Sequence, residues 1–414
     1  MPISRQVKNS MEHSSWIRRM FEEGVKLKAE FGADQVFDFS LGNPDLEPPE
    51  AFRAVMRRLV EDTRAGTHGY MPNAGYASVR EAVARKASAQ QGLAMGASSI
   101  VMTVGAAGGL NTALKAILDP GDEVIVIKPY FAEYHSFIQN HQGIVVEVEA
   151  GPGFSLSAEN VRAALSPRTA AVIVNSPNNP TGVIYTRAEL SALAALLSEH
   201  GARCGRMPYL IADEPYREIV YGGAEVPSAM AAYPETIVVT SWSKTLSLPG
   251  ERIGYIAVSP RCADAKELFE ALAMCTRNLG YVNAPALMQR AVAELLDEQC
   301  DVRSYARRGS ELARGLRAAG YEFPDPQGAF YIFARAPEPS TARRAEAAAS
   351  GLDLDGGADV AFVMHLKKYK VLGVPGRGFG TPGWFRLSYC VSEATIRGAI
   401  PLFAKAMEDW KAGR

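Results

Sequence analysis

Cysteine is scarce, and its spacing is uninformative for pairing. The five residues, Cys204, Cys262, Cys275, Cys300 and Cys390, are odd in number and far apart. That argues against a disulfide framework, and the lack of a C-x-x-C pair removes the usual zinc signature, so a reducing compartment is expected. No apolar run approaches the roughly 20 residues that a membrane-spanning helix needs. The polar stretch from Met1 to Ser15 lacks the apolar segment of a signal peptide. Neither sign of charge dominates: 44 Lys and Arg stand against 45 Asp and Glu, a formal net charge of -1. Such a balance gives no electrostatic reason to bind nucleic acid or an anionic membrane. The expectation is a soluble cytoplasmic protein that acts on small molecules.

What is present is ordinary for a globular protein: 47% hydrophobic and 21% charged residues. At 414 residues the chain exceeds the size at which a single core stops growing, so two domains are expected, with room for one to be split. Ile17, Met20, Phe21, Val25 and Leu27 recur at helical spacing between Trp16 and Phe31. From about residue 100, short β-branched runs predict strands at Ile100–Thr103, Glu123–Ile127, Ile144–Val148, Ala171–Val174, Tyr209–Ala212, Ile237–Thr240 and Gly254–Val258. Several are apolar nearly throughout, as strands buried on both faces are. Helical patterns lie between many of them, and the clearest runs from Thr186 to His200. There Thr186 and Glu189 form a capping-box pattern ahead of a Leu190, Leu193, Ala194 and Leu197 stripe. Strands alternating with helices imply an α/β fold with a mostly parallel sheet. After about residue 290 a helix over Ala291–Leu316 precedes a strand over Ala329–Phe333. An Ala-, Arg- and Glu-rich stretch and the Gly-rich Gly351–Gly357 then look like a surface loop. A helix over Asp359–Tyr369 and a strand over Trp384–Cys390 complete an α+β unit.

Ligands of open α/β sheets bind beyond the carboxyl ends of the strands. The residues that follow four predicted strands are therefore informative. Gly105-Ala106-Ala107-Gly108-Gly109 follows the first, ahead of a helix pattern from Leu110, and suits a phosphate. Asn175 to Gly182 is a dense turn cluster. Asp213 is followed by Tyr216, and Ser241-Trp242-Ser243-Lys244 is followed by Arg252. A phosphate nest, an amide, a carboxylate with a phenol, and a lysine with hydroxyls and a guanidinium suit one kind of ligand. It has a phosphate, a basic ring nitrogen, a phenolic oxygen and an aldehyde, and pyridoxal phosphate has all four.

Asn179-Pro180-Thr181-Gly182, Asp213-x-x-Tyr216, Ser241-x-Ser243-Lys244 and Arg252-x-Gly254, in that order, resemble the class I/II aminotransferases. These are the aspartate aminotransferase-like group of fold type I pyridoxal-phosphate enzymes. The resemblance runs from Gly42-Asn43-Pro44 to Arg386. It implies a large domain over residues 42–300 with a seven-stranded, mostly parallel sheet. It also implies a smaller α+β domain built from residues 1–41 and 301–414. Lys244 would carry the cofactor as a Schiff base and later move a proton. Asp213 would keep the ring nitrogen protonated. Tyr216 and Asn179 would bond the phenolic oxygen. Arg252, Ser241, Ser243 and the N–H groups of Ala106 and Ala107 would hold the phosphate. Phe131 would stack on the ring, with Tyr130 the alternative one residue away. Arg386, aided by the Gly42 N–H, would grip the substrate carboxylate. Tyr70 would reach the phosphate of a partner subunit, which makes the expected active unit a homodimer.

Each residue also has a plainer reading: surface lysine, turn Asp, turn Asn-Pro, packed aromatic, edge-strand arginine. The ordered combination favours the site. The expected reaction exchanges an amino group between an L-amino acid and a 2-oxo acid by a ping-pong mechanism. A lyase, racemase or decarboxylase on the same scaffold is the alternative. A non-catalytic aminotransferase-like half of a transcription regulator is a weaker one, since about forty residues before the fold are too few for a DNA-binding domain. Ala107 stands where some aspartate-using relatives carry a lysine, and Arg277 is not clearly in register with a partner-chain arginine, so the amino acid itself is left open.

Overall fold

The structure is a computed structural model that describes residues 3, 4, 7, 8, 16–349 and 358–413. Twelve strands occur among these residues. In chain order they are β1 (Phe37–Asp38), β2 (Ile100–Thr103), β3 (Glu123–Lys128), β4 (Ile144–Glu149), β5 (Thr169–Asn175), β6 (Tyr209–Asp213), β7 (Thr236–Ser241), β8 (Gly254–Val258), β9 (Tyr331–Arg335), β10 (Val371–Leu372), β11 (Val374–Pro375) and β12 (Trp384–Ser388). Seven form one sheet in the order β2-β8-β7-β6-β5-β3-β4. Only β8 runs against its neighbours, so the sheet is mostly parallel and the fold is α/β.

The period-2 geometry of a strand explains the apolar runs. All seven residues of β5 are buried. Its Val172 and Val174 enter the core on one face of the sheet, and Ala171 and Ile173 the core on the other. A third core gathers the helix Trp16–Phe31, strands β9 to β12 and the helices Val302–Ala318, Asp359–Lys368 and Glu393–Lys411. The capping box is present: Thr186 Oγ1 accepts from the Glu189 N–H at 3.2 Å, and Glu189 Oε2 from the Thr186 N–H at 2.6 Å. The helix it starts, Arg187–Cys204, stops at Gly205 in the left-handed region. Among the described residues no helix is long and apolar enough to cross a membrane.

Several expectations need correction. The single helix over 291–316 is two, Ala286–Glu294 and Val302–Ala318. Periodicity continues across the break because Leu295 and Cys300 are buried, and Asp301 caps the second helix through the Ser304 N–H at 3.2 Å. The Ala-, Arg- and Glu-rich stretch forms a helix, Thr341–Ala349, as the strong helix propensity of those residues allows. Gly351–Gly357 lies outside the described residues. Strand β9 sits two residues later than expected, and β12 ends at Ser388. The helix after β2 begins at Gly105, not Leu110. The small residues therefore build its first turn instead of leading into it.

Candidate active site

Strands β5, β6 and β7 are parallel neighbours, so their carboxyl ends set Asn175 beside Asp213, with Ser241 two residues past Val239, the β7 partner of Asp213. Beyond them opens a cavity of about 250 Å³. Gly42, Ala106, Ala107, Phe131, Asn179, Asp213, Tyr216, Ser241, Ser243, Lys244, Arg252 and Arg386 all line it. Tyr70 does not. It is 91% exposed in a loop before the helix Ala77–Gln91. Tyr130 is also outside, donating to Glu147 Oε1 at 2.7 Å and stacked on His135, so of these two neighbours it is Phe131 that lines the cavity.

Lys244 lies in a one-turn helix, Trp242–Thr245, that follows β7. Its Nζ donates to the Gly42 carbonyl at 2.8 Å. Burial lowers its pKa to about 8, and the positive Arg386 and Arg252 push the same way. A sizeable fraction of the amine is then neutral near physiological pH, the form a nucleophile needs.

Asp213 ends β6 and is 5% exposed. Tyr134, in the helix Glu133–Gln139, donates to its Oδ2 at 2.5 Å. Its Oδ1 is buried without a hydrogen-bond partner. Burial raises the Asp213 carboxyl to about 7, with Tyr134 pulling it down less strongly. An orphaned carboxylate oxygen facing a cavity costs free energy unless a donor occupies it. A protonated ring nitrogen is such a donor.

The end of the cavity beside Arg252 is built largely from backbone. The helix Gly105–Ile117 has no side-chain cap, and its first-turn N–H groups have no intrahelical partner. Gly105 is at φ +67, and a Cβ there would lie 2.8 Å from Arg252 Nη2. Arg252, itself left-handed at φ +52, is tethered by donation from Nη1 to the Pro249 carbonyl at 2.8 Å. It has no ion pair with an acid among the described residues. Ser241 and Ser243 complete a cradle of donors fit for a dianion.

Arg386 occupies the middle of β12 and is 2% exposed. It donates to Asn179 Oδ1 at 3.0 Å and to the Ser40 carbonyl at 2.7 Å. Its guanidinium is sandwiched between the rings of Tyr331 and Phe379, 4.7 and 4.8 Å from their centroids. No carboxylate pairs with it among the described residues, and its Nε is buried without a partner. A buried cation left so is held ready for an anion. The Tyr216 hydroxyl lies 2.8 Å from that of Tyr331, and burial holds both phenols above their ordinary pKa.

Three residues at the site escaped sequence reasoning as participants. Asn175 links the loop to β6, accepting from the Asn179 N–H at 2.7 Å and donating to the Asp213 carbonyl at 2.8 Å. Tyr134 sits one helical turn past Phe131, a spacing that points both inward. Tyr331 reads as core within the apolar run 329–334, and nothing local separates it from Phe330.

Comparison with known proteins places the chain in a family. The family model for aminotransferase class I and II matches residues 34–401. The aspartate/prephenate aminotransferase of Thermus thermophilus is 35% identical over 376 residues, 88% of this chain and 89% of the relative. An aminotransferase structure from Eubacterium rectale superposes with a TM-score of 0.91 at 36% identity, covering 99% of both chains. The Thermus thermophilus aspartate aminotransferase structure with maleate superposes at 0.82 and 32% identity, over 98% of this chain and 100% of the other. The chain belongs to the class I and II aminotransferases, and its cofactor is pyridoxal phosphate.

Proposed function

We propose that the chain exchanges an amino group between an L-amino acid and a 2-oxo acid in two half-reactions at this one site. The observation that carries the reading is the buried, acid-free guanidinium of Arg386 on the same cavity as the depressed amine of Lys244. One fits an α-carboxylate and the other works at the adjacent amine and Cα. When bound, pyridoxal phosphate supplies an aldehyde that condenses with amines and a protonated ring that takes up the electron pair left at Cα.

The chain's own groups do the rest. Asp213 Oδ1 holds the proton on the ring nitrogen, and Tyr134 fixes the carboxylate so that this oxygen faces inward. A cation beside Asp213 keeps it ionised despite its burial. Asn179 spends its Oδ1 on Arg386, leaving its amide N–H groups and the Tyr216 hydroxyl for the phenolic oxygen. Phe131 covers a ring face. Arg252, Ser241, Ser243 and the N–H groups of Ala106 and Ala107 hold the phosphate. Lys244 Nζ would hold the cofactor until the substrate amine displaces it; the freed, neutral Lys244 amine would then take the proton from substrate Cα and return it on the other side of the transfer. Gly42 contributes to the carboxylate end, its carbonyl also holding Lys244 in place.

The active unit in this reading is a cytoplasmic homodimer in which the exposed Tyr70 reaches the partner's phosphate. The names of the relatives suggest aspartate and prephenate among the compounds to test. The reading is tested by absorbance of the purified holoenzyme against a panel of amino acids. A visible band should bleach with some amino acid and return with a 2-oxo acid; borohydride should fix the cofactor covalently to the wild-type chain and not to Lys244→Ala, whose activity should be lower by at least about three orders of magnitude. Release of ammonia and pyruvate in place of 2-oxo acid exchange would assign the site to elimination.

A further inference from the structure

We infer that Tyr331 is a positioning residue that ties the carboxylate grip to the phenolic edge of the cofactor, resting on the roles proposed for Arg386 and Tyr216. The register between β9 and β12 creates the arrangement. Arg386 pairs with Phe333 and Ser388 with Tyr331, which makes Tyr331 the diagonal neighbour of Arg386 on one face of the small sheet. Diagonal neighbours are within reach of aromatic and long side chains. The Tyr331 ring accordingly lies against the Arg386 guanidinium, 4.7 Å from centroid to Cζ.

The hydroxyl of the same side chain extends past the arginine to Tyr216, 2.8 Å away. It also lies against the backbone of Gly42, where a Cβ would come within contact-forbidding distance of the Tyr331 oxygen. Gly42 in turn accepts from Lys244. One buried phenol therefore touches the supports of three functional groups: Arg386, Tyr216 and Lys244. Other groups near it are Cys390 and, through Tyr216, Asp213. Tyr331 is a neutral phenol at working pH, since burial pushes its pKa up to about 12.

The direction of the hydroxyl pair follows from its task. Tyr216 must keep its own hydrogen for the phenolic oxygen, so it accepts from Tyr331. Donation into Tyr216 polarises its O–H bond and makes it a stronger donor in turn. Without that donation more negative charge stays on the phenolic oxygen. The proton shared between that oxygen and the Lys244 nitrogen is then held more tightly.

The test uses holoenzyme and two variants. In Tyr331→Phe the ring remains and the hydroxyl is lost. The midpoint of the pH-dependent change in the visible cofactor band should move upward by about 0.2–0.5 unit, with KM for the amino acid nearly unchanged. Tyr331→Leu removes the ring as well. There KM should rise roughly 10- to 30-fold while kcat falls less. A residue that merely fills the core has no reason to shift the band midpoint. An unchanged or lowered midpoint in Tyr331→Phe overturns the coupling, and an unchanged KM in Tyr331→Leu overturns the part played by the ring. Should the leucine variant not fold, the phenylalanine variant still decides. The titration needs no substrate, so a wild-type band that no amino acid bleaches would sink the transaminase reading and leave this result to stand by itself.

Discussion

Asp213 shows what a site residue costs the fold. Burial pushes its carboxyl up to about 7 in the folded chain, against roughly 3.9 for an unperturbed aspartate, because the apolar surroundings disfavour the charged form. The folded state therefore binds more protons than the unfolded state between those values, and stability falls as pH rises through that window. Above pH 7 the carboxylate is ionised in both states and the whole cost is present; below about pH 4 it is absent. Asp213→Asn should therefore stabilise the cofactor-free protein at pH 8, by an upper bound of about 4 kcal/mol, and leave it unchanged near pH 4. Thermal unfolding of the two apoproteins across that range checks this. A constant gap at all pH values would mean that the charge of Asp213 is not what destabilises. With cofactor bound, the order should reverse, because a ring nitrogen that bonds Oδ1 repays the carboxylate and not the amide.

At the scale of elements, the decisive device is the start of the helix Gly105–Ile117. Gly105 holds φ +67 and leaves room for Arg252. Gly105→Ala adds strain at that backbone and places a Cβ 2.8 Å from Arg252 Nη2. The guanidinium must then swing off the phosphate cradle, which forfeits a charge-assisted bond of about 1.5–3 kcal/mol. Cofactor release, followed by fluorescence or dialysis, should reveal an affinity about 10- to 100-fold weaker, with the sheet intact. An unchanged affinity would place the phosphate away from Arg252. The same helix marks how far sequence carries. The seven strands of the main sheet were legible because they are short β-branched runs, most of them buried on both faces; β4, only partly buried, shows instead by its Val and Ile content. Twelve expected residues then meet at one cavity, most of them from the loops at the ends of the main-sheet strands, with Arg386 from the middle of β12. The helix start was misplaced because glycine and alanine signal a turn as readily as a first helical turn. The two helices over 286–318 merged because buried Leu295 and Cys300 continue the apolar period through the break. Tyr331 stayed hidden because its role depends on cross-strand register with β12, about 55 residues away in sequence, which no local pattern encodes.

At the scale of the whole molecule, Tyr70 is the one expected site residue left outside the cavity of its own chain, at 91% exposure. An aromatic so exposed has nothing within its own fold to act upon, which is what service to a second copy requires. Two variants separate the alternatives. Tyr70→Ala should weaken cofactor retention, and Lys244→Ala should abolish turnover. In a mixed dimer of the two, the site that keeps Lys244 receives an intact Tyr70 from the partner if the residue acts across the interface. It receives the alanine if the residue acts within its own chain. Co-expression with two different affinity tags isolates that mixed dimer, and its turnover settles the matter. Activity per intact Lys244 near the wild-type value, well above the Tyr70→Ala homodimer, means that each site is completed by the other copy. Activity equal to that of the Tyr70→Ala homodimer confines Tyr70 to its own chain and removes the reason, on these grounds, for the enzyme to be a dimer at all.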